Sequence, residues 1–416
     1  MKEKSNILVL TSTFPRWQDD TVPSFVFQLC RNLKSFKICV VAPHEQGAKY
    51  AESVEGIQVR RFSYFFSKWQ SLAYGGGILN NIKENPWRIG LVPLFMLAEL
   101  FAVVRQLRTG KYDVIHAHWL VPQGLVAVVA RFVGNRSSVP ILVTCHGGDL
   151  YALKGRMFEK LKRYVLSKVD GIAVVSHAMK KTIADMGIAP SKIQVIPMGV
   201  YLEKMFVPPR KRRNKKQLLF VGRLVEKKGV QYLIEALSRV VQIHPDVKLL
   251  VAGGGTDETQ LRNLVDDLRL QNNVIFLGAV EHNILPALYQ ASEVVVFPSI
   301  IASDGDQEGF GLVQVEALGC ECGVISSDLP AIRDIITDGK TGLIVPQKNY
   351  KALSQKIIHL LENPRIREAL GREGRAFVLE RYDWDIIAGK YTALIENMIQ
   401  QALSITSSKI SKYPKT

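Results

Sequence analysis

Apolar and polar positions along this chain follow two periods in turn. Short, nearly continuous runs of aliphatic residues are bounded by polar loops, and longer stretches between them repeat apolar positions at helical spacing. In the first half the strand-like runs fall at 7–10, 38–41, 114–116, 141–144, 172–175 and 194–196. In the second half they fall at 218–221, 248–252, 274–277, 294–297, 324–326 and 342–345. Helices are expected near 230–241, 257–269, 284–291, 312–319, 350–361 and 365–380, with a last one from Asp383-Trp384 to about residue 404. Strands that are apolar on both faces and alternate with helices predict parallel, doubly wound sheets, so the fold class is α/β.

A chain of 416 residues is too long for one ordinary core and fits two domains of similar size. The stretch Val207-Pro208-Pro209-Arg210-Lys211-Arg212-Arg213-Asn214-Lys215-Lys216 reads as a linker, because prolines stop structure and a charge run resists packing. The expected division is a first domain at 1–202, a basic linker at 203–216, a second domain at 217–382, a final helix at 383–405 and a frayed tail at 406–416. The longest apolar stretch, 89–104, is interrupted by Pro93 and Glu99, so no membrane span is expected. Five cysteines, an odd number without zinc spacing, read as reduced, packed thiols in the cytosol.

Charge changes the picture. Residues 1–202 hold 26 Lys+Arg against 13 Asp+Glu, a balance of +13, while residues 217–416 hold 21 against 24, a balance of −3. A nucleic-acid partner is not expected, since no helix-turn-helix, RNP-like or zinc pattern accompanies the excess. Residues 62–101 instead mix aromatics with cations (Phe62, Tyr64, Phe65, Phe66, Lys68, Trp69, Tyr74, Trp87, Arg88, Phe95), as a reversible contact with an anionic membrane would require. The expected location is therefore cytoplasmic and peripheral, on the inner face of the cell membrane.

The candidate chemistry lies at the carboxyl ends of strands, where open parallel sheets bind ligands. Run 218–221 leads into Gly222-Arg223-Leu224-Val225-Glu226-Lys227-Lys228-Gly229, in which two cations five apart can reach one diphosphate from two sides. Run 248–252 ends in Gly253-Gly254-Gly255. Run 294–297 is followed by Glu308-Gly309-Phe310-Gly311-Leu312-Val313-Gln314-Val315-Glu316, two carboxylates eight positions apart around a helix start. Such a site suits a ligand that is part sugar and part phosphate. In the first half, Thr144-Cys145-His146-Gly147-Gly148-Asp149 sets a histidine at a strand end. Asp149 reads equally as an acceptor ligand or as a helix cap. His116 and His118 flank Ala117, with alternate faces expected; packing is the favoured role, with a place for one of them in the acceptor cleft as the alternative. Asp304-Gly305-Asp306 reads as loop residues rather than a metal site, so no metal and no cofactor are expected.

On these motifs the chain resembles the family-4 retaining glycosyltransferases. The resemblance spans nearly the whole sequence and is most specific over the second half. It implies the GT-B architecture, two Rossmann-like domains facing across a cleft, with the last helix crossing back to the first domain. It also implies a nucleotide-diphosphate-sugar donor held at Gly222, Arg223, Lys228, Gly253, Gly254, Glu308, Gly309, Phe310, Gly311, Leu312 and Glu316, with Glu308 on the sugar hydroxyls and Glu316 on the ribose. His146 and Glu308 are the implied catalytic pair, and Asp149 and His118 the candidate acceptor contacts. The segments Thr11-Ser12-Thr13-Phe14-Pro15 and Asp113-Val114-Ile115-His116-Ala117-His118-Trp119 are similar to members that build bacterial surface polysaccharides, which implies a glycan or lipid-linked acceptor. Where many members carry a glycine pair in the first loop, this chain has Asp19-Asp20-Thr21-Val22-Pro23, so a diphosphate contact from that loop is not carried over.

Two other classes compete. A nucleotide-sugar isomerase or epimerase would need no basic, aromatic acceptor surface. A non-catalytic sugar-nucleotide-binding subunit of an assembly complex would need no histidine at the anomeric centre. A dinucleotide oxidoreductase is disfavoured because no Gly-x-Gly-x-x-Gly follows the first strand.

Overall fold

Every one of the twelve apolar runs becomes a strand. The computed structural model describes residues 4–17, 20, 25–211 and 213–411, the last six by backbone alone. Its first sheet is built from β1 (Asn6–Leu10), β2 (Lys37–Pro43), β3 (Ala51–Val54), β4 (Ile57–Phe62), β5 (Val114–His118), β6 (Ile141–Cys145), β7 (Gly171–Val174) and β8 (Ile193–Val195). The strand order is β3-β4-β2-β1-β5-β6-β7-β8, parallel except for the β3–β4 pair. The hairpin of β3 and β4 has no counterpart among the expected runs. Its turn, Glu55-Gly56, has φ of 48° and 83°, the pair of positive values that a tight two-residue hairpin needs. Ile57 and Val59 face inward while Gln58 and Arg60 alternate outward, which hides this strand from a search for continuous apolar runs.

The helices beside this sheet are α1 (Phe25–Asn32), α2 (Ile78–Glu84), α3 (Leu91–Thr109), α4 (Leu125–Val133), α5 (Gly148–Tyr151), α6 (Arg156–Lys168) and α7 (His177–Asp185). Pro93 and Glu99 do not interrupt α3. Pro93 occupies the first turn, where an amide has no intrahelical partner to lose, and Glu99 is buried on the inward stripe with Leu91, Phe95, Val103 and Leu107. By length and composition alone, residues 86–109 are long and apolar enough to cross a membrane, so Pro93 and Glu99 do not break the apolar stretch as expected.

The second sheet contains β9 (Gln217–Val221), β10 (Lys248–Ala252), β11 (Val274–Gly278), β12 (Val294–Phe297), β13 (Gly323–Ser327) and β14 (Leu343–Val345), all parallel, in the order β11-β10-β9-β12-β13-β14. Its helices are α8 (Val230–Ile243), α9 (Glu258–Asp267), α10 (Leu285–Ala291), α11 (Leu312–Gly319), α12 (Tyr350–Glu362), α13 (Pro364–Tyr382) and α14 (Trp384–Ser411). Asn349 caps α12 by accepting from the Ala352 amide, and Pro364 opens α13 from a position that needs no donor. One core, from Leu218 and Phe220 through Val296 to Ile357, fills the space between sheet and helices.

The chain divides into two compact units: residues 1–175, 179–196 and 388–416 form the first, and 176–178 with 197–387 the second. The change therefore falls at 196/197 rather than 202/203. Residues 203–216 belong to the second unit and are not a free linker. The Arg213 guanidinium donates to the carbonyls of Tyr289 (2.8 Å), Ser292 (2.8 Å) and Cys320 (2.5 Å), so this cation is consumed by packing. Helix α14 runs to Ser411, past the expected end near 404; residues 412–416 of the expected tail lie outside the described residues. From Ala388 onward it belongs to the first unit, where the Tyr391 hydroxyl donates to the Ile196 carbonyl (3.1 Å) and Met398 fills the space beside Gly171. All five cysteines are free thiols, four of them buried.

Candidate active site

In the second unit, the loops at the carboxyl ends of β9, β10 and β12 touch backbone to backbone. A Cβ on Gly253 would stand 1.9 Å from the Gly222 carbonyl oxygen, and one on Gly229 would stand 2.2 Å from that of Pro298. These glycines let the loops approach one another. Gly254 is the member of its run that faces open space, with only Glu258 Oε2 near, at 3.8 Å.

Three consecutive residues of the turn 226–228 fasten onto the loop before α11. Glu226 accepts from the Ser303 amide and hydroxyl (2.8 Å each), Lys227 Nζ pairs with Asp306 (3.0 Å), and Lys228 Nζ pairs with Glu308 Oε2 (2.5 Å). Burial pushes the Glu308 carboxyl up, but Lys228, Lys227 and Arg223 together outweigh it and hold the group down to about 2. Glu308 is thus ionised at neutral pH, although only 16% of its side chain is exposed. Gly311, at φ 106°, turns the chain into α11, whose first-turn amides open toward this loop.

Glu316 lies within α11 and is almost fully buried. Its carboxylate accepts from the Tyr289 hydroxyl (3.1 Å) and contacts His282 Nε2 (3.1 Å). The hydrogen bond to Glu316 raises the His282 pKa against an opposing effect of burial.

In the first unit, β5 and β6 bring four polar side chains to adjoining strand ends. His116 Nε2 lies 2.8 Å from Thr144 Oγ1, which lies 3.4 Å from the Tyr391 hydroxyl. His118 Nδ1 lies 3.0 Å from His146 Nε2, with the two rings stacked at 5.3 Å. His116 and His118 share one face of β5, their rings 4.3 Å apart, because residues two apart on a strand point the same way. The expectation of alternate faces is corrected. His118 is fully buried, whereas His146 keeps partial exposure between the rings of Phe25 and Trp119. Burial, with a smaller contribution from His116, holds His146 down to about 3, so it is a neutral imidazole at physiological pH.

This arrangement accompanies clear sequence kinship. The model of the glycosyl transferases group 1 matches residues 203–377, and that of glycosyltransferase family 4 matches residues 22–204. A phosphatidyl-myo-inositol mannosyltransferase of Mycobacterium leprae is 31% identical over 300 residues, covering 71% of this chain and 76% of its own length. The chain belongs to glycosyltransferase family 4. A glycogen synthase of Mycobacterium tuberculosis is 28% identical over 68% of each chain. Among solved structures, a sucrose-phosphate synthase of Thermosynechococcus elongatus superposes with a TM-score of 0.76 at 21% identity, covering 96% of this chain and 100% of that one. The HepE protein of Anabaena, solved with UDP-glucose, gives 0.68 at 18% identity over 97% of this chain and 99% of its own. The fold is GT-B, with two Rossmann-like parallel-sheet domains.

In this glycosyltransferase the expected donor residues do not all share one place, and Glu316, buried within α11, stands apart from the loops. Gly222, Arg223, Lys228, Gly254, Glu308, Gly309, Gly311 and Leu312 lie on the loops and helix start described above. Phe310 does not reach the loop surface: it is buried edge-on against Tyr382, with ring centroids 5.2 Å apart. Gly253 serves the contact between loops. Asp149 does not cap the helix expected to begin near Leu150, and its carboxylate is turned onto the backbone. Its carboxylate is buried and accepts from the amides of Leu120 (2.7 Å), Gly147 (3.0 Å) and His146 (3.1 Å), which pins the turn bearing His146 against the segment after β5. His118 is likewise enclosed and touches His146 rather than solvent. Asp304 accepts from the Asp306 amide (2.8 Å), and Asp306 is held by Lys227. In the first loop Asp20 is bound by Arg16 (2.7 Å); Asp19 and Thr21 to Pro23 lie outside the described residues. The sequence reading missed His282 and Tyr289, the partners of Glu316, and Phe25 and Trp119, the walls around His146. Tyr289 sits on an amphipathic helix and reads as core, and His282 stands in a loop without a motif.

Proposed function

We propose that this glycosyltransferase moves a hexosyl group from a nucleoside-diphosphate sugar to a glycan or lipid-linked acceptor, retaining the anomeric configuration and using no metal, in the assembly of a surface polysaccharide. The observation that carries this reading is the cluster Arg223, Lys228 and Glu308 beside the start of α11. Two cations and backbone amides suit a diphosphate, and a carboxylate held ionised among them suits sugar hydroxyls and developing positive charge. The C1–O bond to the diphosphate breaks, a bond from C1 to the acceptor oxygen forms, and the acceptor's proton passes to the departing diphosphate. His146, neutral and aimed by His118, acts as a hydrogen-bond partner of the transferred sugar rather than as a charge. Asp306 is already neutralised by Lys227, which supports a loop role for the Asp304–Asp306 pair. The lipid-linked acceptor draws support from the mannosyltransferase relative, whose name specifies a phosphatidylinositol, and the nucleotide donor from the UDP-sugar in the Anabaena structure. Free, mostly buried thiols fit a cytoplasmic enzyme.

The test is a panel of nucleotide sugars with a membrane extract, reading released nucleoside diphosphate and the anomeric configuration of the product by NMR, with and without EDTA. Retained configuration and undiminished turnover in EDTA are expected. An inverted product, or activity lost on chelation and restored by Mg²⁺, overturns the reading.

A further inference from the structure

We infer that the outer face of α3, with the aromatic segment before it, docks in the interface of an anionic lipid bilayer. The inward stripe of α3 is spaced four apart, from Leu91 to Leu107, and is buried. The outward stripe is Leu94, Leu97, Phe101, Arg105 and Arg108, spaced by three and four residues, so it forms one face. Leu97 is 63% exposed and Phe101 73%, values foreign to a packed helix of this composition. Just before α3, Phe66 (75%), Trp69 (57%), Trp87 and Ile89 (64%) are exposed as well. Trp69 and Trp87 meet edge to face at 6.3 Å, which joins these aromatics to the start of α3 as one surface.

Charge names the occupant. Lys68, Arg105 and Arg108 are exposed among these apolar residues, while Arg88 pairs with Glu84 at 3.6 Å. A second copy of the chain would oppose like cations to like cations, and a neutral apolar partner would not engage the exposed charges. Anionic headgroups take them directly, while the aliphatic stems and the indoles settle at the boundary. The helix lies in the plane of the surface, since its inner stripe is occupied by the first unit and includes Glu99. That inner stripe also meets the site: Gln123 Nε2 donates to Glu99 (3.4 Å), and Asp149 clamps the neighbouring Leu120 (2.7 Å) beside His146. A bilayer on the outer face therefore lies one helix away from the histidine pair. This deepens the proposal of a lipid-linked acceptor and rests on it for its purpose.

Co-sedimentation with vesicles tests it, using neutral phosphatidylcholine and phosphatidylcholine mixed with phosphatidylglycerol, in the absence of any donor. The full chain is expected to bind the anionic vesicles only and to be released by high salt. Brominated acyl chains should quench its tryptophan fluorescence. Arg105→Glu/Arg108→Glu should weaken partitioning at least about tenfold, since each cation near such a surface contributes roughly a factor of five. Leu97→Ser/Phe101→Ser should abolish the quenching while leaving the melting curve unchanged, because both side chains are exposed. Equal binding to both vesicle types, no binding, retention through high salt, or a dimer broken by Phe101→Ser would each overturn the inference. Vesicle binding is read without turnover, so its failure leaves the reaction standing, and missing transferase activity with intact binding strikes the reaction alone.

Discussion

Replacing Lys228 by Met should expose how much of the second unit's stability rests on the proposed donor site. Lys228 and Glu308 are only 13% and 16% exposed, and they meet at 2.5 Å. With the Glu308 pKa at about 2 against an ordinary value of 4.5, the folded state favours the ionised form by about 3 kcal/mol. Removing Lys228 leaves a buried carboxylate that still has Lys227 and Arg223 nearby, and we expect a loss of about 2 to 3 kcal/mol at pH 7. The double variant Lys228→Met/Glu308→Gln should recover most of it, because the stranded charge is gone.

The sign is fixed by the direction of the shift. A depressed pKa contributes stability above the unfolded value near 4.5, and that contribution is lost as pH falls through the folded value near 2, so the deficit of Lys228→Met should be full at pH 7 and about half as large at pH 3. Urea denaturation followed by far-UV circular dichroism measures both. A deficit below about 1 kcal/mol, or one that is the same at both pH values, refutes the reasoning. The pair also makes a functional claim. Glu308→Gln frees Lys228 for a diphosphate, so this variant should bind nucleoside diphosphate at least as tightly as the parent while losing transfer.

Two further outcomes follow from buried groups in the first unit. His118→Asn keeps a donor near the position of Nδ1 and should preserve most of the turnover, whereas His118→Phe should lower kcat about tenfold with little change in KM, the worth of one oriented hydrogen bond; equal kcat in the two variants would remove His118 from the mechanism. Burial raises the Glu99 carboxyl to about 8, so it is neutral in the fold, and the stability this gives is present below the unfolded value near 4.5 and lost as pH climbs through 8; Glu99→Gln should flatten that loss, and an unchanged pH–stability profile between pH 5 and 9 would refute it.

What the sequence disclosed about the fold were the features with strong periodicity. Runs such as 218–221 and 294–297 are buried on both faces and have no other reading, so all twelve became strands. The misses share one cause, tertiary context that overrides local composition. The hairpin of β3 and β4 lies at a sheet edge, where alternate residues can stay charged. Arg213 reads as part of a solvated run, yet three carbonyls at the ends of other elements converge on it. Pro93 and Glu99 read as interruptions of an apolar helix, but a proline in the first turn removes nothing, and a protonated carboxyl can be enclosed.

The site was legible where a motif is a stretch of chain and opaque where it is a meeting of stretches. Gly222 to Gly229 and Glu308 to Glu316 can be read singly as phosphate-facing loops. That Glu226, Lys227 and Lys228 each engage a partner in the loop 303–308 could not be read, since that register depends on how β9 and β12 lie side by side. The same limit explains Asp149. Three residues after His146 its carboxylate turns back to two amides of its own loop, but its third partner, Leu120, comes from another strand's end. A short polar side chain beside a reactive histidine invites a substrate-binding role when seen in sequence. In the fold, its hydrogen bonds go to the backbone, and what it supplies is the fixed position of His146.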